Sequence, residues 1–334
     1  AVHRRERDQM KVGVARTGLQ AKTSQQEPAN VIIVVIECLR PDLIDSKIMP
    51  NLHEFAERSI LCPHNFSSGN ATCYGMFGLM TGLEAIWFQR PVHQQPILNR
   101  LLHAAGYKLG FYGGQTDWRH FQMDGFVCPE HFDEFQTELP VLPGSDLRTV
   151  ERTIGFIDQS KPGGNGVTEL ASPRASVAYM FGTHSRYSDP QDRIFQPTAP
   201  EHLLMSTSPE IKEQFYNGFK NSARTMDRMI KPLPRDDCVV IILGDHGEPY
   251  FDDGTAVHGT RLSRYQNMTP AIIHFPGVVP RKITAPTSHT DLLPTLLSIL
   301  GIPLTNPNVF DGLDLLTASD ETLAERSFLT RNYM

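Results

Sequence analysis

NVIIVVIE, residues 30–37, sets six unbroken apolar residues between an amide and a carboxylate. The run is rich in β-branched side chains and too short for a buried helix, so it reads as a strand apolar on both faces, as in parallel sheets covered by helices. Four further runs have the same character: YKLGFYGG (107–114), ASVAYMFGTH (175–184), DCVVIILGDH (237–246) and PAIIHF (270–275). Between and beside them, MPNLHEFAERS (49–59), PILNRLLHAAG (96–106), SDLRTVERTIGFIDQ (145–159), PEIKEQFYNGFKNSARTMDRMIKPL (209–233) and TDLLPTLLSILGI (290–302) read as helices, several closed by Gly or Pro. Alternation this regular predicts an α/β class with a doubly wound, mainly parallel sheet flanked by helices. SKPGGNG (160–166) and RYSDPQDRIFQPTAP (186–200) read as loops, the second long enough to act as a lid.

Composition narrows the function classes. The chain has 334 residues, 40% hydrophobic and 20% charged, enough to bury a large core. Its longest apolar run, Val31 to Ile36, is far too short to cross a bilayer. Net charge is −6, and residues 1–28 hold six Lys/Arg against three Asp/Glu, which leaves the rest at about −9 and argues against nucleic acid as a partner. Residues 1–28 are therefore expected to be a polar, basic linker or tail, and residues 29–334 the folded domain. The first residue is Ala1, which leaves room for a membrane anchor outside this chain. Five cysteines without a C-x-x-C pair define neither a disulfide framework nor a zinc knuckle.

Ligands of open parallel sheets bind beyond the carboxyl ends of the strands, so the polar residues there are the ones to collect. Glu37 follows the first strand, His184 the third, and Asp245 and His246 the fourth. GNATCYGMFGLMTG (69–82) delivers Thr72 just ahead of a helix. Two carboxylates, a hydroxyl and an imidazole suit one Mn²⁺, Zn²⁺ or Mg²⁺ ion. An alcohol is a poor nucleophile at neutral pH, and a metal lowers its pKa; the helix start adds N–H groups that favour a phosphate-like anion. Taken singly these residues have plain readings, Thr72 as a helix N-cap above all. Gly75 and Gly78 are expected to let the helix approach the sheet closely, and His289 and Asp291 to cap the helix that they open.

The order of motifs resembles the alkaline phosphatase superfamily in its sulfatase-like branch, over residues 30–315. NVIIVVIECLRPDLID (30–45) is similar to the opening metal-binding strand of sulfatases, LMTGL (79–83) to the close of the nucleophile helix, and SHTDLLPTLLSILGI (288–302) with FDGLDLL (310–316) to the C-terminal signature. SSGNATCYGMFGLMTG (67–82) most resembles the extracytoplasmic domains of membrane-anchored, sulfatase-like envelope proteins, whose relatives include lipoteichoic acid synthases and phosphoethanolamine transferases.

The resemblance implies a metal-dependent phosphoester hydrolase or phosphoryl-group transferase, with Thr72 as nucleophile and Glu37, Thr72, Asp245 and His246 as metal ligands. It implies that His184 and His258 contact the phosphate or assist the leaving group, and that Trp118, Arg119 and Asn70 bind substrate. It further implies a phosphothreonine intermediate, a phosphorylated lipid or lipid-linked substrate, and a periplasmic or cell-surface location. The family's paired acidic residues stand here as Glu37-Cys38, which points to a single metal rather than a calcium cage. Sulfatases convert a cysteine or serine in a C-x-P-x-R sequence to formylglycine. Thr81-Gly82 sets a register that puts Thr72 at that place, and no Pro or Arg follows at the required spacing. A sulfatase therefore ranks behind both the phosphoesterase and its main alternative, a non-catalytic module that binds anionic lipid head groups.

Overall fold

The computed structural model describes residues 29–88, 95–113, 118–119, 122–137, 145–159, 172–184, 193–198, 211–304 and 309–334. The stretch 1–28 and the loop 160–166 lie outside them, as does most of the loop 186–200. The described part of that loop is tied down by Asn217 and Asn221, which donate to the carbonyls of Pro197 and Phe195.

The opening run forms β1 (Asn30–Ile36), and alternation divides it between two cores. Val31, Ile33 and Val35 face one core, which is covered by α2 (Thr72–Thr81), α3 (Ile97–Ala104) and α7 (His289–Ile299). Ile32, Val34 and Ile36 face the other, under α1 (Pro50–Glu57), α4 (Ser145–Asp158) and α5 (Lys212–Ile230). All six side chains are at most 1% exposed, and each contributes about 1.5–3 kcal/mol on leaving water. Two further helices are short: α6 (Arg264–Asn267), and α8 (Asp320–Glu325), which adds Leu323 to the first core.

The remaining strands are β2 (Ile60–Phe66), β3 (Lys108–Gly113), β4 (Glu134–Thr137), β5 (Arg174–Met180), β6 (Cys238–Gly244), β7 (Met268–His274), β8 (Arg281–Lys282) and β9 (Thr287–Ser288). Their order is β4-β3-β5-β1-β6-β7-β2-β8, with β9 beside β2. The sheet is mainly parallel and flanked by helices on both faces, as expected.

Three details differ from the sequence reading. PAIIHF belongs to β7, which runs antiparallel to both β6 and β2; a strand buried on both faces looks the same in either direction. β2 escapes prediction because Pro63 interrupts its pattern. The register of β2 against β7 shifts between Cys62 and Asn65, and Pro63 sits in that irregularity, where a ladder donor is not needed. The start of α7 also needs correction. Ser288 is the N-cap, Asp291 completes the capping box, and His289 is fully buried with Nδ1 3.2 Å from the Gly75 carbonyl.

Among the described residues no helix is long and apolar enough to cross a membrane.

Candidate metal and nucleophile site

The register of three parallel strands places the site. β1 lies between β5 and β6 with Ile36 opposite both Met180 and Gly244, so the residues that follow these strands emerge side by side. Glu37, Asp245 and His246 each turn a ligand atom inward, all within 4.8 Å of one another, and all three are at most 1% exposed. His246 Nε2 is 3.2 Å from Glu37 Oε1 and 3.4 Å from Asp245 Oδ2. His246 Nδ1 donates to the Gly247 carbonyl at 2.8 Å, which orients the ring and leaves Nε2 to the carboxylates.

Thr72 completes the group from the other side. Its Oγ1 is 3.4 Å from Glu37 Oε1 and 3.4 Å from His246 Nε2. Thr72 is the first residue of α2; the N-cap is Ala71, with no side-chain capping bond. The plain capping role of Thr72 is thus excluded. Gly75 explains how the helix comes so close, because a Cβ there would sit 2.0 Å from the Asp245 carbonyl oxygen. Gly78 plays the same part against Ser68.

The electrostatics are those of charges forced together. Burial opposes ionisation of Glu37, but hydrogen bonding to His246 and the nearby His184, His246 and His258 hold it well below the usual carboxylate range. Asp245 is pushed up to about 6, by burial and then by Glu37. Burial disfavours charge on His246, yet Asp245 and Glu37 outweigh it and raise the imidazole to about 10. The imidazolium is what balances two buried carboxylates here. A divalent cation bound between the same oxygens and Nε2 would take over that balance, so this donor set, hard to borderline and oriented by its outer hydrogen bonds, fits a metal.

Around this group lie residues with supporting contacts. His184, just past β5, and His258 form a further potential ligand group with Glu37. The His258 ring is 4.0 Å from that of His246 and 5.7 Å from that of His184, centroid to centroid. Asp146 holds the turn that carries His184, accepting from the N–H groups of Phe181 and Gly182 at 2.9 and 2.7 Å.

Sequence reasoning missed two members. Glu248, 1% exposed, accepts from the backbone N–H of His258 and lies 2.7 Å from its Nδ1. Its signal was present in the run GDHGE, two residues beyond His246. Tyr179 donates its hydroxyl to Glu37 Oε2 and lies 3.1 Å from Asp245 Oδ2. Inside ASVAYMF nothing distinguishes that ring from core.

Two of the three expected substrate contacts, Asn70 and Trp118, turn into the protein. Asn70 is fully buried; its Nδ2 faces Arg261 O, Gln266 Oε1 and Asn332 Oδ1, and its Oδ1 accepts from Tyr333 N. It ties the turn before Thr72 to the C-terminal segment. Trp118 is 4% exposed and packs edge-on against Phe111 and Tyr179, each 5.2 Å away, so it backs the site and does not line it. Arg119 is exposed beside it. Cys73 is 2% exposed within the core under α2, and burial pushes its thiol up to about 12.

The sequence model of the sulfatase family matches residues 29–302. The chain is 24% identical over 299 residues to the inner membrane protein YejM of Salmonella typhimurium, an alignment covering 86% of this chain and 44% of that protein. It therefore spans less than half the length of that relative. Among solved structures it is similar to the lipoteichoic acid synthase LtaP of Listeria monocytogenes, with a TM-score of 0.66 and 18% identity over 93% of this chain and 81% of that one. It is also similar to the C-terminal periplasmic domain of the phosphoethanolamine transferase EptC of Campylobacter jejuni, with a TM-score of 0.65 and 15% identity over 87% and 94%.

Proposed function

The chain belongs to the sulfatase family, and from that premise we propose that it is a metal-dependent phosphoester hydrolase or phosphoryl-group transferase with Thr72 as its nucleophile. The observation that carries this reading is the approach of the Thr72 hydroxyl to the buried Glu37–Asp245–His246 group. Glu37, Asp245 and His246 would hold one divalent ion, Mn²⁺, Zn²⁺ or Mg²⁺. When bound, such an ion supplies Lewis acidity that lowers the hydroxyl pKa and offsets charge on the phosphoryl oxygens.

The chain's own residues do the rest. Thr72 Oγ1 bonds to phosphorus as the bond from phosphorus to the leaving oxygen breaks, with the N–H groups at the start of α2 facing the anion. His258, anchored through Nδ1 by Glu248, presents Nε2 to protonate the departing oxygen. His184 neutralises the phosphoryl oxygens from the end of β5. Water or an acceptor alcohol then attacks the phosphothreonine, and Thr72 is regenerated.

Envelope lipids or lipid-linked head groups are the substrate class we favour, in an extracytoplasmic, membrane-associated setting. Support comes from the kinds of protein that the chain is similar to: an inner membrane protein, a lipoteichoic acid synthase and a phosphoethanolamine transferase domain.

One observation favours a second reading. Tyr179 bonds to both carboxylates and Thr72 is only 3% exposed, as a module that binds anionic head groups without turnover could tolerate. Turnover separates the two. Chelated protein given Mn²⁺ or Zn²⁺ should regain hydrolysis of a chromogenic phosphodiester, and Thr72→Ala should not. No turnover of any phosphomonoester, phosphodiester or lipid donor with any of the three metals would leave the binding module as the function.

A further inference from the structure

Cys38 takes no part in the chemistry above, yet its thiol points into it. It follows Glu37 at the end of β1 with φ at 59°, a left-handed conformation that costs about 1–3 kcal/mol for a residue bearing a Cβ. The turn is held by the Cys38 N–H, which donates to Asp245 Oδ1 at 3.0 Å. Cys38 Sγ lies 3.4 Å from Glu248 Oε2, 3.5 Å from Glu37 Oε1 and 3.7 Å from His258 Nδ1. Each of those polar neighbours is an atom able to bind a metal. The thiols of Cys38 and Cys73 are both buried in hydrophobic cores, but among the described residues only that of Cys38 groups with potential metal ligands; Cys73 packs with Met76, Leu79 and Met80.

Cys38, His246 and His258 offer a sulfur and two imidazole nitrogens within 4.8 Å of one another. His246 also belongs to the group formed with Glu37 and Asp245. The two ligand sets are adjoining faces of one centre, one hard and one soft. We propose that Cys38 is a metal ligand, which with His246 gives the centre a thiolate–imidazole face and makes it select Zn²⁺, Co²⁺ or Cd²⁺ over Mn²⁺ and Mg²⁺, while His258 keeps its place beside the leaving group. Thiolate sulfur and imidazole nitrogen suit borderline-soft ions and widen the preference for them beyond what oxygen donors give. Coordination replaces the S–H bond with a sulfur–metal bond and releases one proton to solvent.

The proposal rests on the metal-centre reading above, and cobalt separates the two. The chelated chain is titrated with Co²⁺ and followed by absorption. Visible d–d bands report ion binding at all; a near-ultraviolet sulfur-to-cobalt charge-transfer band reports a thiolate ligand. The wild type should show both, Cys38→Ser only the d–d bands, and Cys73→Ser both. In competition, Cys38→Ser should bind Zn²⁺ about tenfold or more weakly while Mn²⁺ affinity stays within about threefold. Circular dichroism confirms that each variant is folded. Charge transfer absent from the wild type, or persisting in Cys38→Ser, overturns ligation by Cys38 and leaves the metal centre standing. No d–d bands in the wild type overturn both.

Discussion

His246 and His289 are equally removed from solvent, and their surroundings shift them in opposite directions. His246 is raised to about 10 because Asp245 and Glu37 overcome the cost of burial. His289 is lowered to about 4, first by burial and further by the charge of His246, with only the Gly75 and Gly244 carbonyls opposing. One imidazole stands at the ends of β1 and β6 among gathered charges. The other stands behind α2, wedged against the helix that carries Thr72. Burial alone therefore does not mark a functional histidine here; convergence with other ionisable groups does. Keeping two carboxylates and an imidazolium in a dry interior lowers stability, and such an arrangement persists where it has work to do.

The comparison breaks if the two histidines are interchangeable. His246→Ala should lose bound metal and slow phosphodiester turnover by roughly 10³-fold or more, about 4 kcal/mol. His289→Gln should keep metal stoichiometry and turnover within about tenfold. Equal losses in the two variants would return His246 to the ranks of structural histidines.

Acid sharpens the comparison. In the unfolded chain His289 takes up a proton near pH 6.5, whereas in the native state it resists one until about pH 4. Between those values the unfolded state binds more protons, so stability falls as pH falls, by up to about 3 kcal/mol below pH 4. Urea denaturation of chelated wild type and His289→Gln at pH 7 and pH 4 should show the wild type losing that much more than the variant. A difference independent of pH would mean that His289 is not held neutral.

The bodies of β1, β3, β5 and β6 were legible because a parallel strand buried on both faces has few compositional alternatives. Glu37, Asp245 and His246 were legible for the same reason: a charge directly after six or seven apolar residues has no solvent to turn to. Thr72 was legible through its glycines. Direction was not legible, since β7 reads alike whichever way it runs. Side-chain aim was not either. Asn70, two residues before Thr72, and Trp118 turn into the protein, and Tyr179 sits inside an apolar strand but reaches the carboxylates. These depend on contacts between residues more than sixty positions apart.

A smaller effect tests the neighbouring imidazole. His258→Ala should reduce turnover by about 10²-fold, near 2.7 kcal/mol, and Glu248→Gln by about tenfold, because Glu248 acts only by positioning the ring. The substrate whose leaving group is most acidic should be affected least. An effect of Glu248→Gln as large as that of Thr72→Ala would place Glu248 among the metal ligands. Smallest of all should be Cys73→Ser, below about tenfold or 1.4 kcal/mol, since its thiol is packing beneath the nucleophile.

On the proposed mechanism the hydroxyl beside the buried charges, and not the thiol next to it, attacks phosphorus. Metal-loaded protein is mixed briefly with a phosphodiester donor, quenched in acid, digested and sequenced by mass spectrometry. The account predicts a phosphoryl-bearing group on Thr72, an unmodified thiol at Cys73, and neither adduct nor turnover in Thr72→Ala. An active Thr72→Ala enzyme, a phosphoryl group on another residue, or an aldehyde at position 73 would contradict it.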